Sequence, residues 1–211
     1  MAVPAVTALR DEGLRPSTRL LAIGGVIGPV AFVSTWAIAG RVTNHYSPIE
    51  DAISELARTG ASTQPAMTAA FIAFGVGVIA FAVALREAGA GRSWISALAT
   101  AVCTLGVASF PLGGPTRDVV HGVFASLGYL TLAGVPLLSA RPLARAGRPG
   151  WARGSIAVAA ISGACLLGSA MGPAHGFFQR AGLTTGDAWI VAVALHLAGG
   201  RNLFAPRPAK V

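Results

Sequence analysis

Long uncharged apolar runs separated by short polar clusters are the dominant pattern along this chain. Five such runs, at 20–40, 66–85, 94–110, 119–138 and 154–171, contain no Asp, Glu, Lys or Arg. A helix needs roughly 17 to 25 apolar residues to cross the hydrocarbon core of a bilayer, so each run predicts one span. A sixth run, 183–198, is marginal. It contains Asp187, and counted from beyond that residue it is short before Arg201 is reached. Either Asp187 lies one turn inside a sixth helix, facing the protein interior or the interface, or this segment is re-entrant. The ten-residue alternation of polar and apolar positions that barrel strands require is absent. The expected fold is therefore all-α, an integral membrane six-helix transmembrane bundle over residues 20–204, flanked by tails at 1–19 and 205–211.

The connection after the first run has a pattern of its own. Ser47 followed by Pro48 reads as an N-cap with proline in the first turn. Ile49, Ile53 and Leu56 then share one face, predicting a short amphipathic helix along the bilayer surface or over the bundle. Small residues recur inside the runs, with Gly24 and Gly28 four apart and Gly168 and Gly172 likewise. That spacing lets helix backbones approach closely, although an Ala- and Gly-rich composition also produces it by chance.

Composition agrees with a membrane solvent, since 54% of the 211 residues are hydrophobic and only 11% charged. A net charge of +8 ordinarily suggests nucleic acid. Here the arginines flank apolar runs instead of forming a stripe among aromatics, so no nucleic-acid partner is expected. Their distribution sets orientation instead. Arg10, Arg15, Arg19, Arg86, Arg92, Arg141, Arg145, Arg148, Arg153, Arg201, Arg207 and Lys210 fall on one side, and only Arg41, Arg58, Arg117 and Arg180 on the other. The excess of Lys and Arg on the cytoplasmic side of membrane proteins then places both termini, and both tails, in the cytoplasm. Trp94, Trp151 and Trp189 lie near expected span ends, where indole rings favour the headgroup region. The Ala37-Ile38-Ala39 end of the first run mimics a signal-peptidase site, but the run exceeds a typical signal sequence and reads as a retained anchor. Cys103 and Cys165 sit within apolar runs and read as small core residues, not a disulfide.

Candidate chemistry gathers on the extracytoplasmic side of this topology, which receives five of the eight acids and three of the four histidines. Insertion rules do not demand this, because they concern Lys and Arg. Glu50, Asp51 and Glu55 lie in the first loop and double as ordinary helix-start acids. Asp118 and His121 are three residues apart, so the carboxylate can fix the imidazole tautomer or raise its pKa. In the fifth loop, His175 and Arg180 flank two aromatics. Arg180 can pair with Glu55, Asp118 or Asp187, or grip a lipid phosphate. His196 has no evident partner and reads as a packing residue. A hydrolase would need Ser54 joined to His121 or His175, yet no GxSxG elbow accompanies them. No HExxH or CxxC occurs, so neither a metal nor another cofactor is expected.

Ile53-Ser54-Glu55-Leu56, Phe110-Pro111 ahead of Asp118 and His121, and the late Gln179-Arg180 segment resemble the bacterial multi-pass proteins catalogued as domain of unknown function 998. The likeness extends from about residue 20 to about residue 203. It implies a six-helix bundle with an extracytoplasmic polar cluster, and it supplies no activity. That family is in turn similar in layout to the damage-regulated autophagy modulators, whose first outer loop carries an Ile-Ser-Asp type motif where Glu55 stands here. Arginine richness with a single Lys suggests a high-GC bacterium and hence the plasma (inner) membrane.

The expected function is binding of a lipid headgroup or small ligand by Ser54, Glu55, Asp118, His121, His175, Arg180 and Asp187, with membrane lipids as partners and binding in place of catalysis. An intramembrane lipid hydrolase or metal-dependent enzyme is the alternative. A transporter or accessory subunit is a further one, disfavoured by the lack of an expected mid-span charge. Neither a protein partner nor an oligomeric state can be read from the residues.

Overall fold

The computed structural model describes residues 14–207; most of the expected N-terminal tail and the last residues of the C-terminal one lie outside the described residues. Among the described residues there are six α-helices: α1 Pro16–Val42, α2 Gln64–Glu87, α3 Ser93–Ser109, α4 Pro115–Arg145, α5 Pro149–Gly168 and α6 His175–Ala198. A 3₁₀ helix, Ile53–Ala57, lies between α1 and α2, and no strand occurs among the described residues. Proline opens α1, α2, α4 and α5. Its preset φ suits the first turn, where its missing N–H would have had no partner.

Each helix packs on its neighbours in the chain, and α6 closes the ring against α1. Short connections make those neighbours antiparallel. The odd-numbered loops meet at one end, where the Thr59 amide donates to the Leu112 carbonyl at 2.8 Å and the Phe177 amide to the Ile49 carbonyl at 2.9 Å. The opposite end is tied by Arg19 Nε donating to the Ala198 carbonyl at 3.0 Å and Asn202 Nδ2 to the Ala88 carbonyl at 3.3 Å.

The bundle is apolar on its outside. Ile27, Ile72, Val102, Leu127, Ile161 and Leu195, one from each helix, are exposed. Inside, Thr100, Ser139, Ser155, Ser162 and Asp187 are buried. Hydrocarbon is the solvent for which this arrangement is stable, because lipid-facing apolar groups cost nothing there while polar groups pair between helices. Five helices are long and apolar enough to cross a membrane. The short one is α3, whose 17 residues rise about 25 Å at 1.5 Å each.

Close backbone contact joins α1 to α2. A Cβ on Gly24 would lie 2.4 Å from the Gly77 carbonyl oxygen, and one on Gly77 would lie 2.5 Å from that of Gly24. A Cβ on Gly28 would lie 3.1 Å from the Phe74 carbonyl oxygen. The other spaced pair has no such role: a Cβ on Gly168 would meet only the Phe178 ring, at 3.5 Å, and one on Gly172 would face open space.

Three expectations change. The sixth helix begins at His175 and runs 24 residues, so it is a full-length apolar helix and Asp187 lies three turns in, near its middle. A charge-bearing residue therefore does sit mid-helix, and the argument against a transporter drawn from its absence no longer applies. Trp189 is for the same reason no anchor at a helix end; it is buried, and its Nε1 donates to Ser155 Oγ at 2.9 Å. The first-loop helix is also replaced. Residues 47–51 form a turn, with the Ser47 amide donating to Asp51 Oδ2 at 2.7 Å, and only then does the 3₁₀ helix start. Ile53 and Leu56 are buried beneath it while Ile49 is exposed, so the three do not share a face.

Candidate functional site

Arg180 organises the end where loops 1, 3 and 5 meet. It lies in the second turn of α6, not in a loop, and is 8% exposed. Its Nη1 donates to the carbonyls of Pro48, Asp51 and Gly176 at 2.7, 2.9 and 2.8 Å. Nη2 donates to the Tyr46 hydroxyl, and the guanidinium stacks 5.5 Å from the Trp36 ring and 5.4 Å from that of Tyr46. Burial pushes the Tyr46 pKa up more than the cation lowers it, so the phenol keeps its proton and donates to the Ala52 carbonyl at 3.0 Å. No carboxylate pairs with Arg180; the expected acids are engaged elsewhere or distant. Glu55 forms a two-pronged ion pair with Arg58 at 2.6 and 2.8 Å. Glu50 accepts the Ala174 amide at 3.0 Å at the start of α6.

Asp118 does not touch His121. Its Oδ1 accepts the amides of Gly113 and Gly114 at 2.8 and 3.3 Å, which caps α4. The tautomer of His121 is set instead by the Phe110 carbonyl, 2.9 Å from Nδ1. A carbonyl only accepts, so in the neutral ring Nδ1 carries the hydrogen and Nε2 is an acceptor. Ser54 Oγ lies 2.8 Å from Nε2 and donates to it. Both residues are buried, at 8% and 4% exposure. The 3₁₀ turn places Ser54, and the Ile53 amide beside it donates to Gln179 Oε1 at 2.8 Å. Gln179 Nε2 in turn donates to the Tyr129 hydroxyl.

This chain of contacts divides two spaces. On one side is an open groove of 640 Å³ between α4, α5 and α6, with Ser54, Glu55, His121 and His175 at one end and Leu130, Ala133, Leu166 and Leu167 farther along. On the other is a cavity of 60 Å³ inside the bundle, lined by Asp187 and by the rings of Phe32, Phe71, Phe74, Phe124 and Tyr129. Ser54, Ala125, Tyr129 and Gln179 line both.

Four of the seven expected site residues, Ser54, Glu55, His121 and His175, thus line one groove. Asp118 caps a helix, Arg180 is enclosed by backbone, and Asp187 lies in the separate cavity. Tyr129 completes the partition and escaped the sequence reading. Its signal was its position two turns beyond His121 on the same face of α4. His196 stacks edge-on against Trp151 at 4.9 Å and bonds the Ala192 carbonyl of its own helix, a packing role. Among the described residues no three His, Cys, Asp or Glu converge as metal ligands.

An apolar exterior, a few polar groups buried between the helices and long apolar helices define a membrane-embedded all-α bundle. Within that class, the chain belongs to the family described as protein of unknown function (DUF998), whose model matches residues 26–196. Neither the curated proteins nor the solved structures include a match to the chain.

Proposed function

We propose that this protein binds an amphipathic membrane lipid in the groove between α4, α5 and α6. The observation that carries the reading is the gradient along that groove, from Ser54, Glu55, His121 and His175 at the loop end to leucine and alanine side chains toward mid-bundle. A headgroup is matched by the first set and an acyl chain by the second. In this reading all six helices cross the plasma membrane, α3 where the bilayer thins locally. Both termini are cytoplasmic, and the groove opens toward the outer leaflet.

Gly163 and Ala133 line the lipid-facing part of the groove, and a Cβ on Gly163 would meet only the Ala133 Cβ, at 3.9 Å. Gly163→Phe and Ala133→Phe therefore fill it without disturbing the bundle. Native mass spectrometry of detergent-purified protein is expected to show bound phospholipid on the wild type. Each Phe variant should retain about tenfold less, a loss of about 1.4 kcal/mol in binding. Equal retention by both variants would remove the groove as the lipid site.

A second reading, a serine hydrolase acting on lipid, rests on the hydrogen bond from Ser54 to His121. A hydroxyl donating to an imidazole whose other nitrogen is fixed is the geometry of an activated nucleophile. Its test is covalent labelling: a fluorophosphonate probe should modify wild-type protein at Ser54 and leave Ser54→Ala and His121→Ala unlabelled. Wild-type protein that stays unlabelled in lipid nanodiscs would exclude this chemistry.

A further inference from the structure

We infer that the cavity inside the bundle is a binding site for a small ammonium-type cation, with Asp187 as its counter-ion. This site is separate from the lipid groove and does not depend on it. Asp187 is 3% exposed, and neither carboxylate oxygen has a hydrogen-bond partner. A carboxylate at the middle of a membrane helix is costly to hold alone, and such groups pair with a cation or mark a path for one. Among the described residues no Arg, Lys or His lines the cavity. The only cation on the same face of α6 is Arg180, two turns away, whose Nη1 and Nη2 are committed to three carbonyls and a hydroxyl while its buried Nε has no partner.

The chemistry of the walls selects the kind of cation. Five aromatic rings line the space, and Phe32 packs 5.2 Å from Phe71 and 5.5 Å from Phe74 between ring centroids. Ring faces attract ammonium groups through their quadrupoles. Sodium, by contrast, is held by a shell of oxygens and gains little from ring and hydrocarbon walls, which make up most of this lining. Size narrows the class further. A volume of 60 Å³ is several times the roughly 10–15 Å³ that admits one water molecule, which leaves room for ammonium or methylammonium. One N–H of such a cation meets the carboxylate while the remaining surface faces the rings.

The test uses the full-length protein in detergent, with chloride salts of ammonium, methylammonium, tetramethylammonium, sodium and potassium compared at equal ionic strength. Ammonium and methylammonium are expected to raise the melting temperature saturably, by roughly 5 °C when the site is filled. The other three salts should not. Asp187→Asn should abolish the rise, and Phe71→Leu should weaken methylammonium binding about two- to fivefold, the value of one cation–π contact. Equilibrium dialysis of radiolabelled methylammonium against the wild type keeps the question open to refutation if Asp187→Asn does not fold. No saturable uptake, displacement by sodium or potassium as effective as by ammonium, or an undiminished response in Asp187→Asn would each overturn the assignment.

Discussion

Arg180→Ala is expected to detach the first loop from α6 and to destabilise the protein by about 3 kcal/mol or more. The Pro48 and Asp51 carbonyls lose their donor while that of Gly176 keeps its helical one, and a carbonyl left buried and unpaired costs about 1–3 kcal/mol. The Trp36 and Tyr46 rings also lose the group they pack against. Arg180→Lys should recover less than half of the loss. An ammonium can reach the carbonyls, yet it lacks the planar fork that serves them and Tyr46 together. Thermal melting in detergent reads the stability, and amide hydrogen exchange over residues 46–57 reads the loop. Because the 3₁₀ turn holds Ser54 in place, exchange there should rise in the Ala variant even below the melting transition. Unchanged protection in that segment would mean the guanidinium is not its anchor.

The second large effect is expected at the α1–α2 crossing. Gly77→Leu puts a branched side chain where a bare Cβ already lies 2.5 Å from the Gly24 carbonyl oxygen and 3.1 Å from the Gly28 Cα. Backbone cannot rotate away as a side chain can, so the two helices must separate along the contact. Overpacking costs about 1–3 kcal/mol even where side chains yield, and the loss here should exceed that range. The expected result is loss of the monodisperse peak in size-exclusion chromatography. Gly172→Leu, at a glycine with open space around it, should be close to neutral. A folded Gly77→Leu variant with wild-type melting would show that the close approach of these helices is not needed.

The helices were legible because charge-free length is a local property, and all six apolar runs lie within observed helices except for a residue or a few at some ends. What was not legible was where α6 starts. His175, Gln179 and Arg180 read as loop residues, since polar groups beside an apolar run usually mark its end. The partners of Gln179 and Arg180 include the carbonyls of Pro48, Asp51 and Gly176 and the Ile53 amide, and three of those four groups lie more than a hundred residues away in the chain. That single displacement carried two further errors with it, the depth of Asp187 and the role of Trp189. The site followed the same rule. Ser54 and His121 were identifiable as residue types on one side, but the bond between them spans 67 positions. Asp118, three residues from His121, was the nearer carboxylate in sequence and proved to serve the glycine amides that precede it. The Gly24–Gly28 pair and the Gly168–Gly172 pair have identical spacing, and only the facing glycine on α2 distinguishes them.

The hydrogen bond between Tyr129 and Gln179 has a consequence for how the two spaces communicate. If both spaces are occupied as proposed, widening the groove at this point would part the pair and open the space behind it, and an occupant there pressing on the tyrosine ring would act on the groove in return. Thermodynamic linkage then requires that any change one occupant makes in the affinity of the other be matched by the same factor in reverse.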